Sequence, residues 1–475
     1  GVASGDPTPN GVVLWTRLAP APLSEDGGMP QQPVLVQWRV ALDERMRRVV
    51  RKGAVFAWPE LAHSVHVEVG GLQPSRWYWY QFRIGNDESP LGRTRTAPPA
   101  FARPGTARFA FASCQNYAQG FYPAYRRMAE ENLDFAVHLG DYIYENPAGA
   151  EVRLHLPANE TYTLNDYRIR HAQYKTDAAL QAAHAACPWI VTWDDHDTDN
   201  NYAGLLPEIP SEEPDFPARR AHAYQAYYEH MPLRLRQMPR GPYLSLFRRL
   251  NFGTLAEINV LDTRQYRSAR EASCAPGELL DGYCPEALDP NRTMAGFAQR
   301  DWLIRGLDSS TASWNVLANQ VLFSPFDSDP DPAQRAFPGE SWNAFPYERA
   351  RILDLITARK LYNTVVITGD VHVNVALNVP PDSINLDAEP VATEFVGTSI
   401  SSGGDRTLFT NFGGDANNPH LRFINSHHGY ALCTLTPALW RTDYRVVPSV
   451  LVQDAPISTV ASFVVEQGQA GAVRA

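Results

Sequence analysis

Four apolar runs in this sequence end in side chains that bind metals. Residues 108–113 lead to Cys114, and 134–139 lead to Gly140-Asp141-Tyr142-Ile143-Tyr144. Residues 188–193 lead to Asp194-Asp195-His196-Asp197, and 364–368 to Gly369-Asp370-Val371-His372. A fifth run leads to Asn319 and Gln320. A carboxylate such as Asp141 can bridge two cations. A phenol such as Tyr144 titrates near ~10 when free and needs a strong Lewis acid, Fe³⁺ for example, to ionise near neutral pH. Cys114 adds a soft thiolate donor. Asp370 and His372 stand at i and i+2 of an extended segment and so face the same way. Taken singly, a strand-end aspartate is usually a helix cap and a lone cysteine an inert buried thiol. Their recurrence after one strand after another, with two adjacent aspartates that repel unless a cation lies near, points to a metal centre.

These groups need a scaffold. Residues 1–100 read as all-β, with β-rich or alternating runs at 11–17, 34–40, 64–69 and 77–83. Tyr78 follows Pro74 by four residues, the spacing of a tyrosine corner. The expectation is an N-terminal β-sandwich of fibronectin/Ig-like type over 1–104. Beyond it, strands alternate with helical stretches at 121–132, 166–186, 218–230 and 348–361. That predicts an α/β layered domain over 105–475, with its site at the C-terminal ends of the strands. The Pro-rich stretches 202–217, 268–293 and 325–346 are expected to be irregular.

Composition narrows the function classes. Among 475 residues, 42 Lys and Arg against 52 Asp and Glu leave a charge of −10, which excludes nucleic-acid binding by bulk charge. No run approaches the ~18 apolar residues of a membrane span. The chain opens without a Met, as a mature exported chain or a trimmed one would, and its cysteine usage favours export. Of five cysteines, Cys274 and Cys284 lie in a polar stretch suited to a short disulfide loop, and Cys187 and Cys433 could form a second pair. Cys114 is then left over.

Several ordered blocks resemble the PhoD-type alkaline phosphatases and phosphodiesterases of the metallophosphoesterase superfamily. They are Val2-Ala3-Ser4-Gly5-Asp6-Pro7, Ala112-Ser113-Cys114-Gln115, and His138 to Glu145 around Gly140-Asp141. Asp166-Tyr167-Arg168, Thr192 to Asp197, Asp262-Thr263-Arg264, Leu317 to Gln320 and Thr368 to His372 continue the series. The resemblance implies a sandwich followed by a four-layer αββα catalytic domain, export through a twin-arginine signal, and an iron–calcium pair. Placed on the superfamily pattern, Fe³⁺ is held by Cys114, bridging Asp141, Tyr144 and His372. The second cation meets Asp195 and Asp370, with Asn319 or Gln320 nearby and Asn200 or Asn201 as further candidates. Donors that are all oxygen suit a hard cation such as Ca²⁺.

The implied reaction is hydrolysis of phosphate mono- and diesters: a water deprotonated at the metals attacks phosphorus in line with the leaving alkoxide. His196 is the candidate acid for the leaving group, and Arg168 could clamp a phosphate oxygen. Small phosphate esters are the expected substrates and a monomer the expected state, with phospholipid or polymer diesters as wider possibilities. A secreted metal-dependent phospholipase D of actinomycetes is similar. A lipid-directed diesterase would need an apolar rim, for which Phe323, Phe326, Trp342 and Phe345 are available. A non-catalytic carbohydrate-binding module with structural Ca²⁺ would use Asp195 and Asp370 but leave Cys114 and Tyr144 idle.

Overall fold

The computed structural model describes all 475 residues except 148–151, 212, 214, 270–273, 275, 330, 332, 338 and 406–416. Parts of the three stretches expected to be irregular therefore lie outside the described residues. Two large sheets dominate. In the ten-stranded sheet, Ala107–Ala112, Phe135–His138, Trp189–Val191 and Val2–Thr8 run parallel side by side. Antiparallel strands flank this block, including Gly429–Leu435 and Leu439–Val446 on one side and Gly11–Arg17 and Ser64–Val69 on the other. In the seven-stranded sheet, Ala256–Val260, Trp314–Asn319, Thr364–Thr368 and Ala392–Val396 form a second parallel block. Phe135–His138 and Thr364–Thr368 are buried along their whole length, as continuous apolar runs require when both faces are covered.

One apolar core joins the two sheets through Phe109, Phe111, Val137, Ile258, Val316 and Ile367. A second packs Tyr125, Tyr167, Leu180 and Tyr224, from four helices, against Trp189 and Val191. A third packs helices Phe297–Ser309 and Pro346–Arg359 against Leu317 and Val366. The helix expected over 166–186 is two helices, Leu164–Tyr174 and Ala178–Ala186. Asp177 breaks it by capping the second helix, its carboxylate accepting from the Ala179 and Leu180 amides. Thr163 and Asp166 form a capping box at the start of the first.

A five-stranded sheet of Val49–Ala57, Val34–Ala41, Trp77–Ile84 and two short strands packs over Gly11–Arg17 and Ser64–Val69. Val36, Val40, Tyr80 and Phe82 meet Val12, Leu14, Val65 and Val67 in its core. Tyr78 is buried, and its hydroxyl accepts from the Gln73 amide at 2.8 Å, as the tyrosine-corner spacing predicts. The N-terminal segment is not a free-standing layer, however. Val2–Thr8 pairs with Trp189–Val191, Gly5 lying opposite Trp189, and so continues the larger sheet. Gly5 permits this approach, because a Cβ there would lie 2.5 Å from the Pro232 carbonyl oxygen. Asp6 anchors the strand by accepting from Arg248 at 2.7 and 3.0 Å.

Cys274 and Cys284 form a disulfide. Cys187 and Cys433 are buried free thiols, so the second pair does not form. Cys433 points at the Thr442 hydroxyl within the sheet, while Cys187 follows helix Ala178–Ala186 in a separate core.

Candidate metal centre

The ends of the parallel strands from both sheets converge on one buried cluster. Cys114 follows Ala107–Ala112, Asp141 follows Phe135–His138, Asp194 to His196 follow Trp189–Val191, and Asp370 and His372 follow Thr364–Thr368. Four of these residues hold positive φ without being glycine: Cys114 (59°), Asp141 (53°), Asp370 (59°) and His372 (62°). Side chains pay for the left-handed region in strain, and such residues gather at functional sites. The turns lock together. The Cys114 and Gln115 amides donate to the carbonyls of Gly140 and Asp141, both at 3.1 Å. Asp197 accepts from the amides of Tyr142, Ile143 and Asp194 and so holds two site loops in register.

Ligand atoms fall into overlapping groups. Those of Cys114, Asp141 and His372 lie within 4.8 Å of one another, as do those of Asp141, Asp195 and His196, and those of Asp194, Asp195 and Asp370. Tyr144 joins the first group: its Oη lies 2.9 Å from Asp141 Oδ2 and 3.1 Å from His372 Nε2. Ser402 Oγ braces it at 2.6 Å. Asp141 is common to the first two groups, the position a bridging carboxylate takes. Its Oδ1, like Asp194 Oδ2, is buried without a hydrogen-bond partner among the described residues. Such oxygens are costly to bury unless a cation or donor meets them. The donors fit metals: thiol, phenol, imidazole and carboxylate on one side, carboxylates on the other.

Electrostatics shows the same need. Burial pushes Asp141 up to about 7 and Asp370 up to about 6. Burial, with Asp141 next, drives the Cys114 thiol and the Tyr144 phenol well above their ordinary ranges. Burial also raises Asp195, but Arg264 and then His196 outweigh it and hold that carboxyl below its usual range. Burial opposes a charge on His196, yet Glu145, Asp141 and Asp195 together hold its pKa well above the ordinary value. Burial lowers His372 to about 3, leaving a neutral imidazole fit to ligate.

Some expected residues take other places. Arg168 is not at the cluster. Its guanidinium makes two bonds to the Glu229 carboxylate, at 2.6 and 2.7 Å, and a third to the Glu60 carbonyl. Asn319 is turned away, its amide nitrogen bonded to the Val321 carbonyl and its oxygen accepting from Trp342 Nε1 at 3.0 Å. Gln320 is equally committed, bridging Thr192, Leu261 and Thr263. Asn200 donates to Glu208, and Asn201 reaches Asp195 through its backbone amide at 2.7 Å. Phe323, Phe326, Trp342 and Phe345 are buried in the apolar cores and form no exposed rim.

Three residues that the motifs contain but sequence reasoning left without a role belong here. Arg264, fully buried, sends Nε to Asp194 and Nη2 to Asp370 (3.2 Å) and towards Asp195 (3.4 Å). Glu145, also buried, holds His196 Nδ1 at 2.8 Å. Asp194 completes the carboxylate group. Arg264 and Glu145 each end a block of the resemblance, and that was the available signal.

The family profile described as PhoD-like phosphatase matches residues 109–444, and that of the PhoD-like phosphatase N-terminal domain matches 1–98. The chain therefore belongs to the PhoD-like phosphatase family and is a phosphatase. It is 48% identical to alkaline phosphatase D of Bacillus subtilis (strain 168) over 489 aligned positions, covering 99% of this chain and 81% of that protein. A solved structure described as the structure of PhoD superposes with a TM-score of 0.94 at 48% identity, covering 100% of this chain and 91% of that one.

Proposed function

We propose that this phosphatase is an exported alkaline phosphatase and phosphodiesterase that hydrolyses phosphate esters at a dinuclear centre bridged by Asp141. The carrying observation is Asp141 itself, whose ligand atom lies within 4.8 Å of those of Cys114 and His372 on one side and of Asp195 on the other, and whose Oδ1 is buried and unpartnered among the described residues. Cys114, Tyr144 and His372 would hold Fe³⁺ beside it, because thiol and phenol are the donors that a trivalent Lewis acid ionises. Asp194, Asp195 and Asp370 would hold Ca²⁺, the oxygen-binding hard cation. Bound there, the pair supplies Lewis-acid polarisation of phosphoryl oxygens and acidified water. His196, fixed through Nδ1 by Glu145, keeps Nε2 to give a proton to the leaving alkoxide. Arg264 holds three carboxylates in place and offsets part of their charge.

Three cores between helices and sheets support a four-layer αββα body, carrying a fibronectin/Ig-like sandwich whose inner strands extend its larger sheet. The Cys274–Cys284 disulfide accords with an oxidising compartment and so with export. None of the described helices is long and apolar enough to cross a membrane.

The test is metal analysis joined to activity. Purified protein should contain iron and calcium and absorb visible light, and Tyr144→Phe should shift or abolish the band. A calcium-selective chelator should abolish hydrolysis of soluble mono- and diesters, and added Ca²⁺ should restore it with iron still bound. A colourless protein fully active with zinc alone would sink the assignment.

A further inference from the structure

The five-stranded sheet has one face in its core and the other in solvent. Val36, Val40, Tyr80 and Phe82 fill the core side. Side chains alternate along a strand, so Leu35, Gln37 and Arg39 point the other way. Strand register sets their neighbours. Leu35 lies opposite Phe56, Gln37 between Ala54 and Arg83, and Arg39 between Lys52 and Gln81. Successive rows are about 7 Å apart, the rise of two strand residues. A trough of about 480 Å³ follows the two polar rows. Its lining carries Arg39, Lys52 and Arg83 and, among the described residues, no Asp or Glu. Arg39 is matched by Glu88 at 2.9 Å. Neither Lys52 nor Arg83 forms an ion pair among the described residues.

The row beside the trough is apolar and equally open. Leu35 is 48% exposed, Phe56 50% and Trp58, just past the end of its strand, 48%. The Phe56 and Trp58 rings lie 5.9 Å apart with 56° between their planes. Rings so tilted share no flat face for a sugar to stack on, and Leu35 adds only aliphatic surface. Contiguous apolar side chains this exposed mark an interaction surface. Here they adjoin unpaired cations in a chain whose net charge is −10.

We propose that this face docks the enzyme on a lipid surface rich in anionic headgroups. Leu35, Phe56 and Trp58 enter the boundary between headgroups and acyl chains, where aromatic side chains are favoured. Lys52, Arg83 and Arg39, one and two rows away, meet the lipid phosphates. Each cation close to such a surface is worth about fivefold in affinity. The local positive charge also orients the approach, since the chain as a whole would be repelled.

The experiment uses the metal-loaded enzyme and two kinds of vesicle, phosphatidylcholine alone and phosphatidylcholine mixed with phosphatidylglycerol. Sedimentation should carry the enzyme down with the mixed vesicles and not with the others, and added salt should weaken that binding. Lys52→Glu combined with Arg83→Glu should lower affinity for the mixed vesicles about tenfold or more. Phe56→Ser combined with Trp58→Ser should lower it too, and should abolish the part that survives salt. All four side chains are exposed, so both variants should keep the parent's Tm and its rate on soluble nitrophenyl phosphate. Equal binding to both kinds of vesicle, or unchanged binding in either variant, would overturn the proposal. So would capture by soluble dextran sulfate without binding to vesicles, which would assign the face to a polymer. Because vesicle binding is read apart from hydrolysis of a soluble ester, failure here and failure of the catalytic assignment are distinguishable.

Discussion

Asp195 and His196 are neighbours in the chain with different partners. Asp195 faces Asp370 and Arg264, whereas His196 leans on Glu145 and lies tilted against the Tyr144 ring, with 4.2 Å between centroids. His196→Ala should therefore keep both metals and lose ~10²–10⁴-fold in rate, the span for a positioned proton donor. The loss should shrink for nitrophenyl esters, whose leaving groups need little protonation. Steady-state kinetics on good and poor leaving groups, with metal content measured alongside, checks this. An equal loss on both would make His196 an orienting residue. Arg264→Met gives a second expectation. It leaves the buried Asp194 and Asp195 and the partly exposed Asp370 without their shared cation, at a cost of about 3–5 kcal/mol. Added Ca²⁺ should stabilise that variant more than the parent, which denaturant melts with and without Ca²⁺ would show. At this scale the metal-binding residue types were readable because each sits just past an apolar strand. The direction of a side chain was not. Asn319 ends a strand as the others do, yet its amide is claimed by Val321 and Trp342. Arg168 looked available until Glu229 took it.

The turns between the strands and the clustered side chains are as constrained as the side chains themselves. Gly140 has φ +116°, and a Cβ on it would lie 2.3 Å from the Asp194 amide nitrogen. Gly140→Ala should thus force the two site loops apart, costing about 1–3 kcal/mol from backbone strain alone. Thermal melts should show lower stability, and elemental analysis a lower metal content. A variant with wild-type metal content would show that the loops tolerate separation. Helices and strands around these turns were readable where period and capping agreed. Asp177 was a readable N-cap inside the stretch taken as one helix, but the helical spacing on both sides masked it. Helix Phe297–Ser309 went unread because it starts at Gly296 with no side-chain cap.

Across the whole molecule, the buried charge makes metal and pH act together. With Asp141 held up to about 7 and Asp370 up to about 6, the metal-free fold binds more protons than the unfolded chain, whose aspartates titrate near ~4. These two groups therefore favour the fold below about pH 4, and that contribution is lost as pH rises through 6 to 7. Cations bound at the two carboxylates would remove the penalty by taking the protons' place. The rise in Tm on adding metals should grow between pH 5 and pH 8, and scanning fluorimetry with and without metals measures it. An equal rise at both ends would mean that neither carboxylate binds a cation. The layered α/β character of the molecule was legible from alternating strands and helices. What the alternation could not show was the sheet shared between the first strand and the rest, because pairing partners far apart leave no local signal. That sharing sets the order in which the molecule can finish. Val2–Thr8 leaves the ribosome well before its anchor, because the arginine that holds Asp6 lies 242 residues later. At ~5–20 residues per second this strand waits tens of seconds for it. Chains stopped before Trp189 should leave the edge of Val2–Thr8 that faces away from Gly11–Arg17 open to hydrogen exchange, and chains extending past Arg248 should close it. A docked Val2–Thr8 strand is thus a completion mark: it can be seated only once the residues up to Arg248 have been made.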